Sequence, residues 1–221
     1  MSNPHDSASN GAVRPDGEAR EPQRRSPGRP RREDRMPVRD EILKTASVLF
    51  MEEGYEAVSL SGIAERCGVT KASVYYHFEG KPALFTAAVI RMLQLALAGT
   101  RRVLDQEGKS LRLRLQEVAE RRLSRIQHIE FEALMREASH YLDDRQRTAI
   151  REAEQELHDL LSLHFARAIA DGEIRKGDSM LMAHSYTALL MIGNRQAAKN
   201  MYASPSELAG PIMDMFWTGV G

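Results

Sequence analysis

Cys67 is the only cysteine in this chain of 221 residues, so no internal disulfide can form. Its place on the inner face of a predicted helix suits a small core hydrophobe better than a redox sensor. The N-terminus has no hydrophobic h-region, and no segment reads as long and apolar enough to span a membrane. The chain is therefore expected in the cytoplasm, with no membrane partner. Basic and acidic side chains balance at 31 each, and a formal net charge of zero does not by itself announce a nucleic-acid binder. There is no glycine-rich phosphate loop, nucleophile-elbow motif or metal-binding His-Glu-x-x-His, so no catalytic residue is assigned and no enzyme is expected. His158 and His164 fall on different faces of one helix, and no cysteine pair or i, i+4 histidine pair accompanies the methionines, among them Met180, Met182, Met191, Met201, Met213 and Met215. Those methionines read as core filler, and neither a metal nor a cofactor is expected. No run alternates apolar and polar residues in the manner of a strand, which leaves an all-α chain.

The most informative stretch is Ser59 to Lys81, SLSGIAERCGVTKASVYYHFEGK. Ser59 is a good N-cap, and Ile63, Ala64 and Cys67 then form one apolar stripe on a helix of about two turns. Gly68 stops that helix, because glycine tolerates the left-handed conformation that helix ends commonly need, and Val69 can plug the space between helices. Thr70 caps the next helix, whose Val74 and Phe78 face the core while Lys71, Ala72, Ser73, Tyr75, Tyr76 and His77 cover the rest of its surface. Two short helices about a glycine-containing turn make a helix-turn-helix, whose second helix enters the major groove of DNA. The outward residues suit that task. Ala72 and Ser73 permit close approach to base edges, Lys71 can donate to guanine or phosphate, and Tyr75, Tyr76 and His77 offer donors on stiff side chains.

With the preceding EILKTASVLFMEEGYEAVSL, this segment resembles the DNA-binding domain of the tetracycline-repressor (TetR) family of bacterial regulators. The likeness is carried by an amphipathic first helix ending at Gly54-Tyr55, the IAERCGV helix and turn, TKASVYYHF, and Gly80-Lys81. It implies that Lys71, Ala72, Ser73 and Tyr75 face bases, while Ser59, Ser61, Tyr76, His77 and Lys81 mostly hold phosphates. It also implies an N-terminal three-helix domain over residues 36–82, followed by a larger helical effector-binding and dimerisation domain over residues 83–221.

Residues 1–35 read as a disordered basic arm. Between Arg20 and Arg35 lie Arg24, Arg25, Arg29, Arg31 and Arg32, opposed only by Glu21, Glu33 and Asp34, so the basic footprint sits just before the first helix. Gly28-Arg29-Pro30 resembles the core of an AT-hook, which lies in a narrow minor groove with arginine pointing into its negative potential. Arg29, Arg31 and Arg32 are the arm residues expected to touch DNA.

The remainder is helical by spacing. Pro82 fits a first turn ahead of Leu84, Phe85, Ala88, Met92 and Leu95. Leu111 to Ile126, Phe131 to Ala138, and Ile150 to Ala168 supply three further stripes, the last ending near Gly172. Asp178 caps a helix running to about Asn194. The last helix begins at Pro205 or at Pro211, since Ser204-Pro205-Ser206-Glu207 reads as a capping box yet Gly210-Pro211 should break what it starts. So apolar a tail wants a partner. The expected dimer contacts are Ala183, Tyr186, Thr187, Leu190, Met191, Ile212, Met215 and Phe216, which the family resemblance would place in a four-helix bundle with a second copy of the chain. Two-fold symmetry then demands a palindromic operator.

A helical domain behind a DNA-reading head suggests a cavity whose ligand opposes DNA binding by linkage. Its expected walls are Met92, Leu95, Phe131, Met135, His140, Tyr141, His164 and Phe165, and a small hydrophobic organic effector is the expected ligand. The leading expectation is a homodimeric, effector-released repressor. The alternative is a ligand-independent architectural or activating DNA-binding protein of the same fold. Deleting residues 1–35 is expected to weaken DNA binding and flatten its salt dependence, because fewer counterions are released; equal affinity and equal salt slope in the truncated protein would refute the arm.

Overall fold

The computed structural model describes residues 37–124 and 131–220. The arm, with Arg29, Arg31 and Arg32, and Ile126 lie outside the described residues. Among the described residues there is no strand, and the all-α expectation holds. The helices are α1 (Val38–Glu53), α2 (Leu60–Cys67), α3 (Lys71–His77), α4 (Lys81–Leu104), α5 (Leu111–Leu123), α6 (Phe131–Ala138), α7 (Asp144–Ala170), α8 (Ser179–Asn194), the single turn α9 (Gln196–Lys199) and α10 (Pro205–Val220). Their starts follow from their caps. Ser110 accepts from the Leu113 N–H, Asp143 and Gln146 form a reciprocal capping box, and Asp178 accepts from Met180 and Leu181. The last helix begins at Pro205 and runs through Pro211, with Ser204 Oγ accepting from the Glu207 N–H at 3.2 Å.

Two hydrophobic cores form. The head core gathers Ile42, Ala46, Phe50, Ile63 and Val74 from α1–α3, and adds Leu84, Phe85, Ala88 and Val89 from α4. It does not close at residue 82 as the expected boundary implies: Leu134 and Ala138 of α6, Leu142 and Ile150 of α7 are buried in it too. An aromatic cluster sits at its centre. The Phe85 ring meets Phe50 and Tyr55 edge-on, each at 5.0 Å, and Tyr55 lies 4.9 Å from Tyr141 of the α6–α7 turn.

The body core joins Val103 and Leu104 at the other end of α4 to α5, α7, α8 and α10. Phe216 packs 5.6 Å from Phe165 and 5.4 Å from Tyr186, whose hydroxyl donates to the Leu115 carbonyl at 2.6 Å. Helix α8 comes so close to its neighbours that a Cβ on Gly193 would lie 2.5 Å from Ile212 Cδ1 and 2.9 Å from Leu123 Cδ2. Glycine is what permits that approach.

Two expectations are corrected here. Helix α4 is long and apolar enough, by length and composition, to cross a membrane. Its first turns supply Leu84, Phe85, Ala88 and Val89 to one protein core and its last turn supplies Val103 and Leu104 to the other. The expected dimer residues Ala183, Tyr186, Leu190, Ile212 and Phe216 are buried within the chain itself, and Thr187 is buried as well; of that set Met215 alone is well exposed, at 67%. The apolar faces of α8 and α10 that carry Ala183, Tyr186, Leu190, Ile212 and Phe216 close the body core.

His164 is 6% exposed, with Nε2 3.4 Å from Asp105 Oδ1. Burial lowers its affinity for protons, more than Asp105 and its hydrogen bond restore it. The unfolded chain therefore binds more protons than the native one. Stability is expected to fall as pH drops below the ordinary histidine value of 6.5, and less steeply in a His164→Gln variant, as followed by urea unfolding. Phe85→Ala is expected to cost about 3–5 kcal/mol in the same measurement.

Candidate functional site

Local chemistry shapes the reading head. Ser59 Oγ accepts from the Gly62 N–H at 3.0 Å and starts α2. Gly68 ends it at φ 64°, a conformation that disfavours side chains, and Val69 donates back to the Ala64 carbonyl at 3.0 Å. Thr70 Oγ1 then accepts from the Ser73 N–H at 3.1 Å and starts α3 at once. Val74 and Phe78 turn into the core as expected. Lys71, Ala72, Tyr75 and Tyr76 stand exposed, Tyr76 at 85%, with the Lys71 ammonium 5.9 Å from the Tyr75 ring. Ser59 and Ser61 are exposed on the first turn of α2, while Ser73 and His77 are half-buried. The result is one convex face of small, aromatic and cationic groups on a helix narrow enough for a major groove.

Lys81 sits differently from its neighbours. Its ammonium donates to the Glu56 carbonyl at 3.1 Å and lies 4.5 Å from the centre of the Tyr55 ring. Burial lowers its proton affinity, against the opposing pull of Glu137 and Glu56. Around it the Glu56 N–H donates to Glu137 Oε1 at 2.6 Å and the Tyr141 hydroxyl to Glu56 Oε1 at 3.0 Å. Tyr55 is pushed up to about 12, mainly by burial. These contacts join the loop before α2 to α6 and the α6–α7 turn.

Behind the head lies a cavity of about 570 Å³. Helix α1 supplies Ser47, Val48, Met51 and Glu52 to it, and α4 supplies Met92, Leu93, Leu95 and Ala96. The far wall is Glu154, Leu157 and His158 of α7 with Thr187, Met191 and Asn194 of α8, and Arg122, Phe131 and Glu132 complete it. Its size and mostly apolar lining suit a small organic molecule.

Of the expected wall residues the cavity uses Met92, Leu95 and Phe131. Met135 packs against the head core, Tyr141 bonds Glu56, and His140 is exposed. His164 lines a separate polar pocket beside Asp105, and Phe165 is fully buried in the body core. Thr187 and Met191, expected at a dimer interface, face the cavity instead. The contribution of α1 was missed. Its signal is the spacing of Ser47, Val48, Met51 and Glu52, which share one helix face.

Residues 42–88 match the family model for bacterial regulatory proteins of the tetR family. The matched stretch takes in most of α1, all of α2 and α3 and the start of α4. The chain is 35% identical over 85 residues to the transcriptional activator FasR of Mycolicibacterium smegmatis, covering 37% of this chain and 39% of that one. It is 38% identical over 52 residues to the negative regulator of the biofilm operon, IcaR, of Staphylococcus aureus, covering 24% and 28%. These matched segments span well under half the length of either relative. The fold of the reduced form of Escherichia coli NemR superposes with a TM-score of 0.71 at 20% identity, covering 84% of this chain and 98% of that one. The stretch that matches the family model includes the exposed face of α3. Replacing Tyr75 or Lys71 by alanine is expected to cost about 1–3 kcal/mol at a specific site, with little change on random DNA, as read by fluorescence anisotropy.

Proposed function

We propose that this protein is a homodimeric repressor that binds a palindromic operator through α2 and α3, and leaves it when a small hydrophobic molecule enters the cavity behind the head. The observation that supports this reading is the cavity's composition: one wall is α1 of the DNA-reading domain and another is α4, which is built into both cores. A ligand between them changes the packing of the head directly, so its binding and that of DNA are thermodynamically linked.

Residues 36–82 act as the reading head, with the α6–α7 turn docked on it, and the rest of the body serves sensing and dimerisation. Bases are met by Lys71, Ala72, Ser73 and Tyr75, and phosphates by Ser59, Ser61, Tyr76 and His77, with Arg29, Arg31 and Arg32 of the arm in the minor groove. Lys81 is committed to Glu56 and Tyr55, so it supports the head before it serves a phosphate. The surface available to a second copy is the outer face of α8, where Leu181, Ala188 and Ile192 stand exposed in helical register, together with Met215 of α10. The protein acts on cytoplasmic DNA and performs no catalysis. The likeness over 85 residues to an activator, FasR, speaks for activation in a second reading, a ligand-independent architectural or activating DNA-binding protein of the same fold.

Selection of fragments from the protein's own genome at about 0.15 M salt, where purely electrostatic binding is weak, is expected to enrich a few palindromic sites; retention with no shared motif would contradict operator recognition. A screen of hydrophobic molecules that release those sites separates the two readings, since the ligand-independent protein releases none. Leu181→Asp with Ile192→Asp is expected to give a monomer in light scattering that has lost the palindrome. A variant that stays dimeric would move the interface elsewhere.

A further inference from the structure

The polar atoms of the cavity wall are unevenly matched. Its hydroxyl donors are already committed: Ser47 Oγ donates to the Leu43 carbonyl at 2.7 Å, and Thr187 Oγ1 lies 3.2 and 3.0 Å from the Ala183 and His184 carbonyls of its own helix. A hydroxyl carries one proton, so the Thr187 oxygen is left to accept from His158 Nε2 at 3.0 Å. That assignment makes Nδ1 of His158 an acceptor. Burial above all lowers the ring's proton affinity, with His184 and Arg122 acting the same way and Asp159 opposing them. Arg122, the only lysine or arginine among the lining residues, already has a partner.

The acceptors are in surplus. Glu52, Glu132 and Glu154 all line the cavity. Glu132 is paired with Arg195 at 3.6 Å, while no cation lies within ion-pair distance of Glu154 among the described residues. Burial raises the Glu154 carboxyl's proton affinity. It stands one helical turn before His158 and beside Leu157, so it shares the apolar surface on which a ligand body would rest. Asn194 adds an Oδ1 that is shielded from solvent and accepts no hydrogen bond among the described residues. A wall whose hydroxyls are engaged, and which holds the half-buried Glu154 carboxyl beside the exposed Glu52, favours a guest that brings positive charge.

We infer that the cavity is selective for lipophilic cations, an aromatic or branched apolar body around a quaternary or protonated centre, with Glu154 and Glu52 as its counter-charges. The inference rests on the reading of this cavity as the effector site. Val48, Met51, Met92, Leu95 and Phe131 form the apolar seat. The same residues would accept a neutral molecule of equal shape; the carboxylates are what make it prefer a cation and disfavour an anion.

Tetraphenylphosphonium and tetraphenylborate are nearly the same shape with opposite charge, and triphenylphosphine oxide is a neutral relative of both. Titration calorimetry of the full chain with each is expected to show the phosphonium binding about tenfold or more tighter than the borate. Glu154→Gln should lower phosphonium affinity about tenfold and leave that of the neutral oxide unchanged. Glu52→Gln is expected to act in the same direction. Because Gln keeps the shape, folding of both variants is checked by circular dichroism. Borate or oxide binding as tightly as phosphonium would overturn the cation class while leaving an effector cavity in place. Binding of none of the three would overturn the effector reading with it. Phosphonium binding that neither substitution weakens would remove the carboxylates from the account.

Discussion

The edge-on packing of Phe85 against Phe50 and Tyr55 is the contact on which the rest of the structure depends. It seats the first turns of α4 in the head core, and twenty residues later the same helix places Val103 and Leu104 in the body core. A helix of 24 residues spans about 36 Å at 1.5 Å per residue and resists bending over that length. Whatever repositions its middle must therefore be felt at an end, and its middle is where Met92, Leu93, Leu95 and Ala96 face the cavity.

Tyr55 carries that junction further. It stacks on Tyr141 and under the Lys81 ammonium, while Glu56 receives Tyr141 and meets Glu137 through its backbone N–H. The head is thus held from two sides, by α4 and by the α6–α7 turn. Exposed ion pairs contribute little, but this group shares its members with a buried aromatic cluster, so its geometry is set by packing and not by charge alone. Helix α3 inherits its position from that arrangement, because its seven residues bury little beyond Val74 on their own.

The head was legible in the sequence because its signals are local. Ser59, Gly68 and Thr70 each act within three or four residues of themselves, and a cap or a left-handed glycine means the same thing in any fold. The body was legible as helices and not as faces. Helix α8 is apolar around most of its circumference, so periodicity could not say which stripe turns inward; Gly193 and the buried Tyr186 hydroxyl decide it, and both depend on partners far along the chain. The cavity was half-read for a related reason. His164 and Phe165 lie two turns beyond Leu157 on α7, past the cavity, where Phe165 is buried in the body core and His164 lines the polar pocket beside Asp105. The α1 wall escaped notice because Ser47 and Glu52 look like solvated surface until α4 and α7 are set against them.

On the proposed function, the exposed face of α3 and the cavity belong to one coupled unit. Hydrogen exchange of the full-length protein, with and without a genomic fragment that it selects, tests this without knowing any effector. The account predicts slowed exchange in α2 and α3 accompanied by altered exchange in the cavity walls, around Ser47–Glu52 of α1 and Met92–Ala96 of α4. Changes confined to α2 and α3, with α1 and α4 exchanging as in the free protein, would contradict it.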